Sequence, residues 1–110
     1  MAFVPDRGDL VWLTFMPQAG HEQSGRRPAL VLSPRTYNAK VGLAIACPVT
    51  SHVKGYPFEV QLQSGLPVSG AVLSDQPKSL DWRERQASLI ARAPEETTAA
   101  VLGKVSALLK

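Results

Sequence analysis

Two adjacent arginines, Arg26 and Arg27, close a polar, glycine-bracketed stretch, GHEQSGRRPALVLSP at 20–34, and lead straight into an apolar run ending in Ser33-Pro34. A guanidinium is planar and permanently charged, and its fork of donors matches phosphate oxygens. A loop of this length without secondary structure of its own is more often functional than connective. The alternative is a solvated loop whose arginines pair with acids or lie along apolar surface. A second polar cluster, Thr50-Ser51-His52, ends the apolar run that starts at Leu43, where a scaffold would hold three side chains at a ligand's disposal.

The elements that must position these groups read mostly as short strands. DLVWLTF at 9–15 alternates, with Val11, Leu13 and Phe15 on one side and Leu10, Trp12 and Thr14 on the other. Residues 27–33 contain the run Ala29-Leu30-Val31-Leu32, expected to be buried on both faces, with Pro28 at the strand's beginning because it lacks a donor. RTYNAKVG at 35–42 reads as a turn or one short helical turn, and LAIACPVT at 43–50 as a third strand with an edge or bulge at Pro48. Phe58, Val60 and Leu62 alternate as a fourth strand, 71–74 forms a fifth, and 86–92 one more, with 75–85 a polar segment. The clearest helix is C-terminal: Pro94 fits its first position, Glu95 and Glu96 suit its positive end, and Val101, Leu102, Val105, Leu108 and Leu109 share a face. Five or six short strands and one amphipathic helix predict a single-domain, mainly β protein: a small barrel or paired sheets with a helix packed on them.

At 110 residues the chain is long enough for one core. No apolar run approaches membrane-spanning length and no signal-peptide pattern opens the chain, so a cytoplasmic location is expected. One cysteine, Cys47, excludes an internal disulfide and reads as a buried small hydrophobe; two histidines, His21 and His52, offer no credible zinc set. The net charge of +3 is uneven. Six basic residues oppose three acidic ones in 1–55, whereas the later half is balanced, so the excess sits beside the arginine pair and favours a polyanionic ligand such as RNA.

PDRGDLVWLTF at 5–15, GHEQSGRRPALVLSP at 20–34, CPVTS at 47–51, KGYPFEV at 54–60 and SDQPKSLDWRER at 74–85 together resemble the MazF/PemK (Kid) toxins of bacterial toxin–antitoxin modules, most closely the MazF branch. The resemblance implies an SH3-like barrel of five to seven short strands with a C-terminal helix. It also implies a homodimer, a MazE-like antitoxin partner, and sequence-specific cleavage of single-stranded RNA without metal or other cofactor. Arg27 and Thr50 fall on the family's catalytic pair, Glu22 on its loop acid, and the loop itself on the element held to gate RNA access. His21, His52, Thr14 and Met16 depart from relatives, which bears on the RNA word recognised more than on the chemistry.

Metal-free RNA cleavage needs help for the 2′-hydroxyl as it loses its proton, stabilisation of a charge-rich phosphorane, and a proton for the leaving 5′-oxygen. Arg27 suits the second need, and Thr50 can hold a phosphate oxygen for in-line attack. The proton carrier stays open. Arginine, with a pKa above about 12, is a poor resting base, while histidine titrates near neutrality, so His52 or His21 competes with Arg27 for the role. The simpler reading of each histidine is a solvent-facing residue, with RNA contact the other reading of His21. The RNA contacts expected around the pair are Glu22, Gln23, Arg26, Ser51, His52, Lys54, Tyr56, Asp75, Gln76 and Lys78. Tyr56 could stack a base or pack over Pro57, and Asp75, Gln76 and Lys78 could meet base edges or cap a turn. Trp82 reads as a buried anchor and Trp12 as an outer-face residue. Two other functions compete: a gyrase-poisoning toxin of the CcdB type on the same barrel, and a barrel that binds nucleic acid without cutting it.

Overall fold

A computed structural model of the chain describes residues 3–15 and 25–110. The elements run β1 (Asp9–Phe15), β2 (Gly25–Val31), α1 (Arg35–Val41), β3 (Leu43–Thr50), β4 (Glu59–Gln61), β5 (Ala71–Leu73), β6 (Lys78–Asp81), β7 (Ser88–Arg92) and α2 (Glu95–Leu108). All pairing is antiparallel, in the order β4-β5-β3-β2-β1-β7 with β6 beside β3. Among the described residues the path does not close between β4 and β7. The architecture is therefore mainly β with a C-terminal helix, and the pairing is that of an open sheet rather than a closed barrel.

Alternation sorts the core onto two sides. Leu10, Leu30, Cys47, Val49 and Val72 form one cluster, roofed by Val101 of α2 and by Leu62. Val11, Leu13, Ala29, Val31, Ala44 and Ala46 form the other, closed by Trp82. The run at 29–32 is thus buried on both faces, as its composition requires. On α2 the apolar stripe fades toward the C-terminus: Val101 is fully buried, while Leu108 is exposed and Leu109, just past the helix, is 81% exposed.

β3 is the central strand, and its proline decides how it is flanked. Ile45 donates its N–H to Ser33 Oγ and accepts from the Leu32 N–H, so its polar groups face the β2 side. By the two-residue alternation of a ladder, the nitrogen of Pro48 faces the opposite edge. There β3 pairs with β6 through Ala46 and with β5 from Val49, leaving the missing donor at the gap between partners. Pro48 is neither on an edge nor at a bulge; it marks the handover. Pro28 also sits differently from expectation, in the middle of β2, where β1 is the neighbour and pairing to β3 begins only at Ala29. β6 lies inside the stretch expected to be a polar loop, because only Leu80 of its four residues is even half-buried.

Two polar knots hold the ends of these strands. The buried Asn38 of α1 accepts from Ser33 Oγ at 2.6 Å and donates to the carbonyls of Pro5 and Ser33, while its own carbonyl accepts from the Trp82 indole. At the N-terminus, Asp9, 4% exposed, accepts from Arg92 and from the Asp6 N–H, and Asp6 accepts from the N–H groups of Arg7 and Arg35. The PDRGD motif is thus a structural clasp. The Arg35 N–H, working against partial burial, holds the Asp6 carboxyl below its ordinary value of 3.8.

Asn38→Ala would strand two buried carbonyls and the Ser33 hydroxyl, and is expected to lower stability by about 2–4 kcal/mol in urea unfolding. A carboxyl whose folded pKa is depressed stabilises above its unfolded value, and that contribution is lost as pH falls through the folded value. The melting temperature of Asp6→Asn should therefore fall less steeply than that of the parent as pH drops below 3.8.

Candidate active site

The β2–β3 register pairs Val31 with Ala46, Leu30 with Cys47 and Ala29 with Pro48. The pairs end two residues short of both Arg27 and Thr50; strand alternation puts Arg27 on the Ala29 side of β2 and Thr50 on the Ala46 side of β3. Antiparallel partners share a face, so both belong to the side bearing Ala29 and Ala46. Arg27 also has Leu13 of β1 as its ladder partner. It is exposed, beyond the buried part of β2, whereas Thr50 is half-buried at the end of β3.

Thr50 is fixed from two directions. Its Oγ1 accepts the His52 N–H at 3.0 Å, which orients the oxygen and leaves the hydroxyl proton to donate elsewhere. Its main chain pairs with Ala71, and Gly70 lies directly against its carbonyl, with a φ of +124° that side chains rarely adopt. Gly70 was legible only as loop punctuation.

The turn after β3 carries the next polar groups. The Glu59 carboxylate accepts from the N–H groups of Lys54 at 3.1 Å and Gly55 at 2.7 Å. Tyr56 Oη donates to Asp75 Oδ1 at 3.4 Å, and its phenol is held above the ordinary value by desolvation and then by the charges of Asp75 and Glu59. Lys104 of α2 donates to the Pro57 carbonyl at 2.6 Å. Glu59 thus acts as an internal strut for the turn bearing Lys54, a role nothing in KGYPFEV announces.

Of the residues singled out from the sequence, Thr50, Ser51 and His52 are consecutive at the strand end, and the last two are exposed. Tyr56 and Asp75 are joined directly. Gln76 is exposed on the segment leading from β5 to β6, and Lys78, the exposed first residue of β6, lies across from Ala46. Arg26 is not beside Arg27. It projects from the opposite face and donates to Thr14 Oγ1, Gln86 O and Ser88 Oγ at 2.6–2.7 Å, so its guanidinium is engaged with the scaffold and not with the Arg27–Thr50 side. Glu22, Gln23 and His21, with the gate they were expected to form, lie outside the described residues. Cys47 is fully buried, and desolvation pushes its thiol up to about 11. Trp82 is the buried anchor expected. Among the described residues no three His, Cys, Asp or Glu side chains gather as a metal-binding group, and no helix is long and apolar enough to cross a membrane.

Comparison with known proteins bears directly on this arrangement. Residues 6–109 match the family described as PemK-like, MazF-like toxin of type II toxin–antitoxin system. The chain is 46% identical to the endoribonuclease toxin MazF of Escherichia coli K12, over 97% of this chain and 96% of that one. It is 35% identical to the E. coli endoribonuclease PemK, over 94% and 81%. Among solved structures, it superposes with a TM-score of 0.94 on a chain of a MazE–MazF crystal structure from Deinococcus radiodurans, 62% identical, with 98% of this chain and 97% of that one covered.

A methyl group at Gly70 would overlap the Thr50 carbonyl oxygen. Gly70→Ala should therefore destabilise the fold by more than about 1 kcal/mol in thermal unfolding and shift the Thr50 resonances in an amide NMR spectrum.

Proposed function

The chain belongs to the PemK-like, MazF-like toxins of type II toxin–antitoxin systems, and from that premise we propose that it is a sequence-specific endoribonuclease toxin acting on single-stranded RNA. The observation that supports the reading is the β2–β3 register, because alternation from its last pair, Ala29 with Pro48, assigns a guanidinium and a hydroxyl to the same side of neighbouring strands. No metal is called for in this scheme, because Arg27 supplies the positive charge that the phosphorane requires.

The 2′-oxygen attacks the adjacent phosphorus as its proton leaves, the bond to the 5′-oxygen breaks, and that oxygen takes up a proton. The products are a 2′,3′-cyclic phosphate and a 5′-hydroxyl. Arg27 binds the non-bridging oxygens as their charge grows. Thr50, its oxygen already fixed by the His52 N–H, donates to one of them and sets the in-line geometry. Arg27, His52 and His21 are the candidates for the proton-transfer roles. Ser51, His52, Lys54, Tyr56, Asp75, Gln76 and Lys78 are proposed to contact the flanking nucleotides, with Glu22 and Gln23 contributing from the loop.

The E. coli relatives carry the name endoribonuclease and the Deinococcus structure pairs MazF with MazE. We read this chain likewise as a cytoplasmic homodimer neutralised by a MazE-like antitoxin, whose acidic segment would occupy the phosphate sites of Arg27 and Lys54. The sharing of β3 between β5 at one end and β6 at the other supports a sheet that curls toward an SH3-like barrel.

Purified protein should cleave single-stranded RNA and leave intact a copy with deoxyribose 5′ of the scissile bond. Loss of an oxyanion-type donor costs about 100- to 1000-fold, the drop in kcat/KM expected for Arg27→Ala; Thr50→Val should lose about 100-fold through misplacement. Failure to cut any of a diverse RNA set, or full activity in Arg27→Ala, would overturn the assignment. A pH–rate profile of His52→Ala superimposable on the parent's would remove that histidine from proton transfer.

A further inference from the structure

Arg26 follows the connection between β1 and β2 and precedes the residue placed at the scissile phosphate. Its Nη1 donates to Thr14 Oγ1 at 2.6 Å, and its Nη2 to Gln86 O and Ser88 Oγ, each at 2.7 Å, with the Trp12 carbonyl at 3.4 Å. These acceptors belong to two places far apart in sequence: β1, and the end of the turn running into β7. Only a planar fork of donors spans them together; an ammonium offers one nitrogen.

Two features show what the clamp holds. Among the described residues, the outer part of β2, Gly25 to Pro28, pairs with β1, and the β3 register starts at Ala29. Arg27 therefore projects from the part of β2 beyond that register. Gln86 adopts a φ of +53°, which non-glycine residues seldom do, and in that conformation its carbonyl reaches the Arg26 guanidinium. From this geometry we propose that Arg26 is a positioning residue, riveting the outer end of β2 to β1 and β7 so that Arg27 is presented at a fixed height on the side it shares with Thr50.

The catalytic part of the proposal rests on the ribonuclease reading above; the clamp itself does not. A direct phosphate contact by Arg26 is the competing role, and the two differ in what a substitution changes. Loss of a positioning group misplaces the reacting centre and lowers kcat, whereas loss of a phosphate contact raises KM and reduces the salt slope by about 0.7.

Steady-state cleavage by Arg26→Met, Ser88→Ala and Thr14→Val, measured across salt concentrations, separates them. The clamp predicts a kcat loss of roughly 10- to 100-fold in Arg26→Met, with KM and salt slope close to the parent's. It also predicts a smaller loss of the same kind in Ser88→Ala and Thr14→Val, which remove no charge. A raised KM with flattened salt dependence and intact kcat would overturn it in favour of phosphate contact. Amide hydrogen exchange on RNA-free protein gives the independent reading. The Thr14 N–H, bonded to the Arg85 carbonyl at 2.8 Å, should exchange faster in Arg26→Met, and unchanged exchange would overturn the clamp. If the parent cuts no RNA, the ribonuclease reading fails alone and the exchange result decides the clamp.

Discussion

The absent hydrogen-bond donor of Pro48 is the constraint around which the sheet is arranged. A central strand needs partners on both edges, and a proline within it leaves one edge position that no ladder bond can use. Here that position lies between the segment of β3 paired with β6 and the segment paired with β5. On the other edge β2 pairs continuously from Val31 to Ala29. The change of partner frees 74–77 to pass between β5 and β6, so Asp75 and Gln76 are delivered beside the strand that ends in Thr50. The same residue that interrupts the ladder thus separates its structural half from its functional half.

The structural half is held by polar groups that have little alternative. Asn38 is wholly buried and meets Ser33, Pro5 and Trp82 at once, and a buried network of this kind specifies one arrangement because partial satisfaction is costly. It locks α1, the end of β2 and the tryptophan that closes the second core into a single register. The Asp6–Asp9–Arg92 clasp does the same for the start of β1 and the end of β7. Neither knot bonds to Arg27 or Thr50 in the contacts described, although the Asn38 knot includes Trp82, which closes the core on their side. Their contribution to function is that the ladder beneath that face does not slip.

Much of this was readable in the chain. DLVWLTF alternates, and Leu10 enters one core while Val11 and Leu13 enter the other; the third strand runs from Leu43 to Thr50 as its composition suggests. β6 was not readable, because KSLD shows neither alternation nor an apolar run, and its strand character comes from β3 alone. Pro28 misled through a propensity rule that holds for strands flanked on both sides, whereas among the described residues this end of β2 pairs with β1. The turn strut of Glu59 and the contact of Gly70 with Thr50 depend on residues brought together from separate elements, which a local pattern cannot express. The positions of Arg27 and Thr50 could be proposed from the resemblance; their shared face needed the register.

The arginine pair shows why placement matters more than composition. In a loop, Arg26 and Arg27 would present a doubled charge to any anion, which is how the sequence reads. In a strand, consecutive side chains must point to opposite faces, so the doubled charge is divided by geometry. One guanidinium turns toward the polar acceptors of β1, β7 and the preceding turn, where its fixed fork suits several neutral oxygens at once. The other stays on the face shared with Thr50. The local excess of positive charge in the first half of the chain therefore overstates the charge offered to a ligand on that face, and recognition there must lean on directed hydrogen bonds and stacking as well as on attraction. The proposed choice among RNA words would draw on that balance, since phosphate attraction alone is blind to sequence.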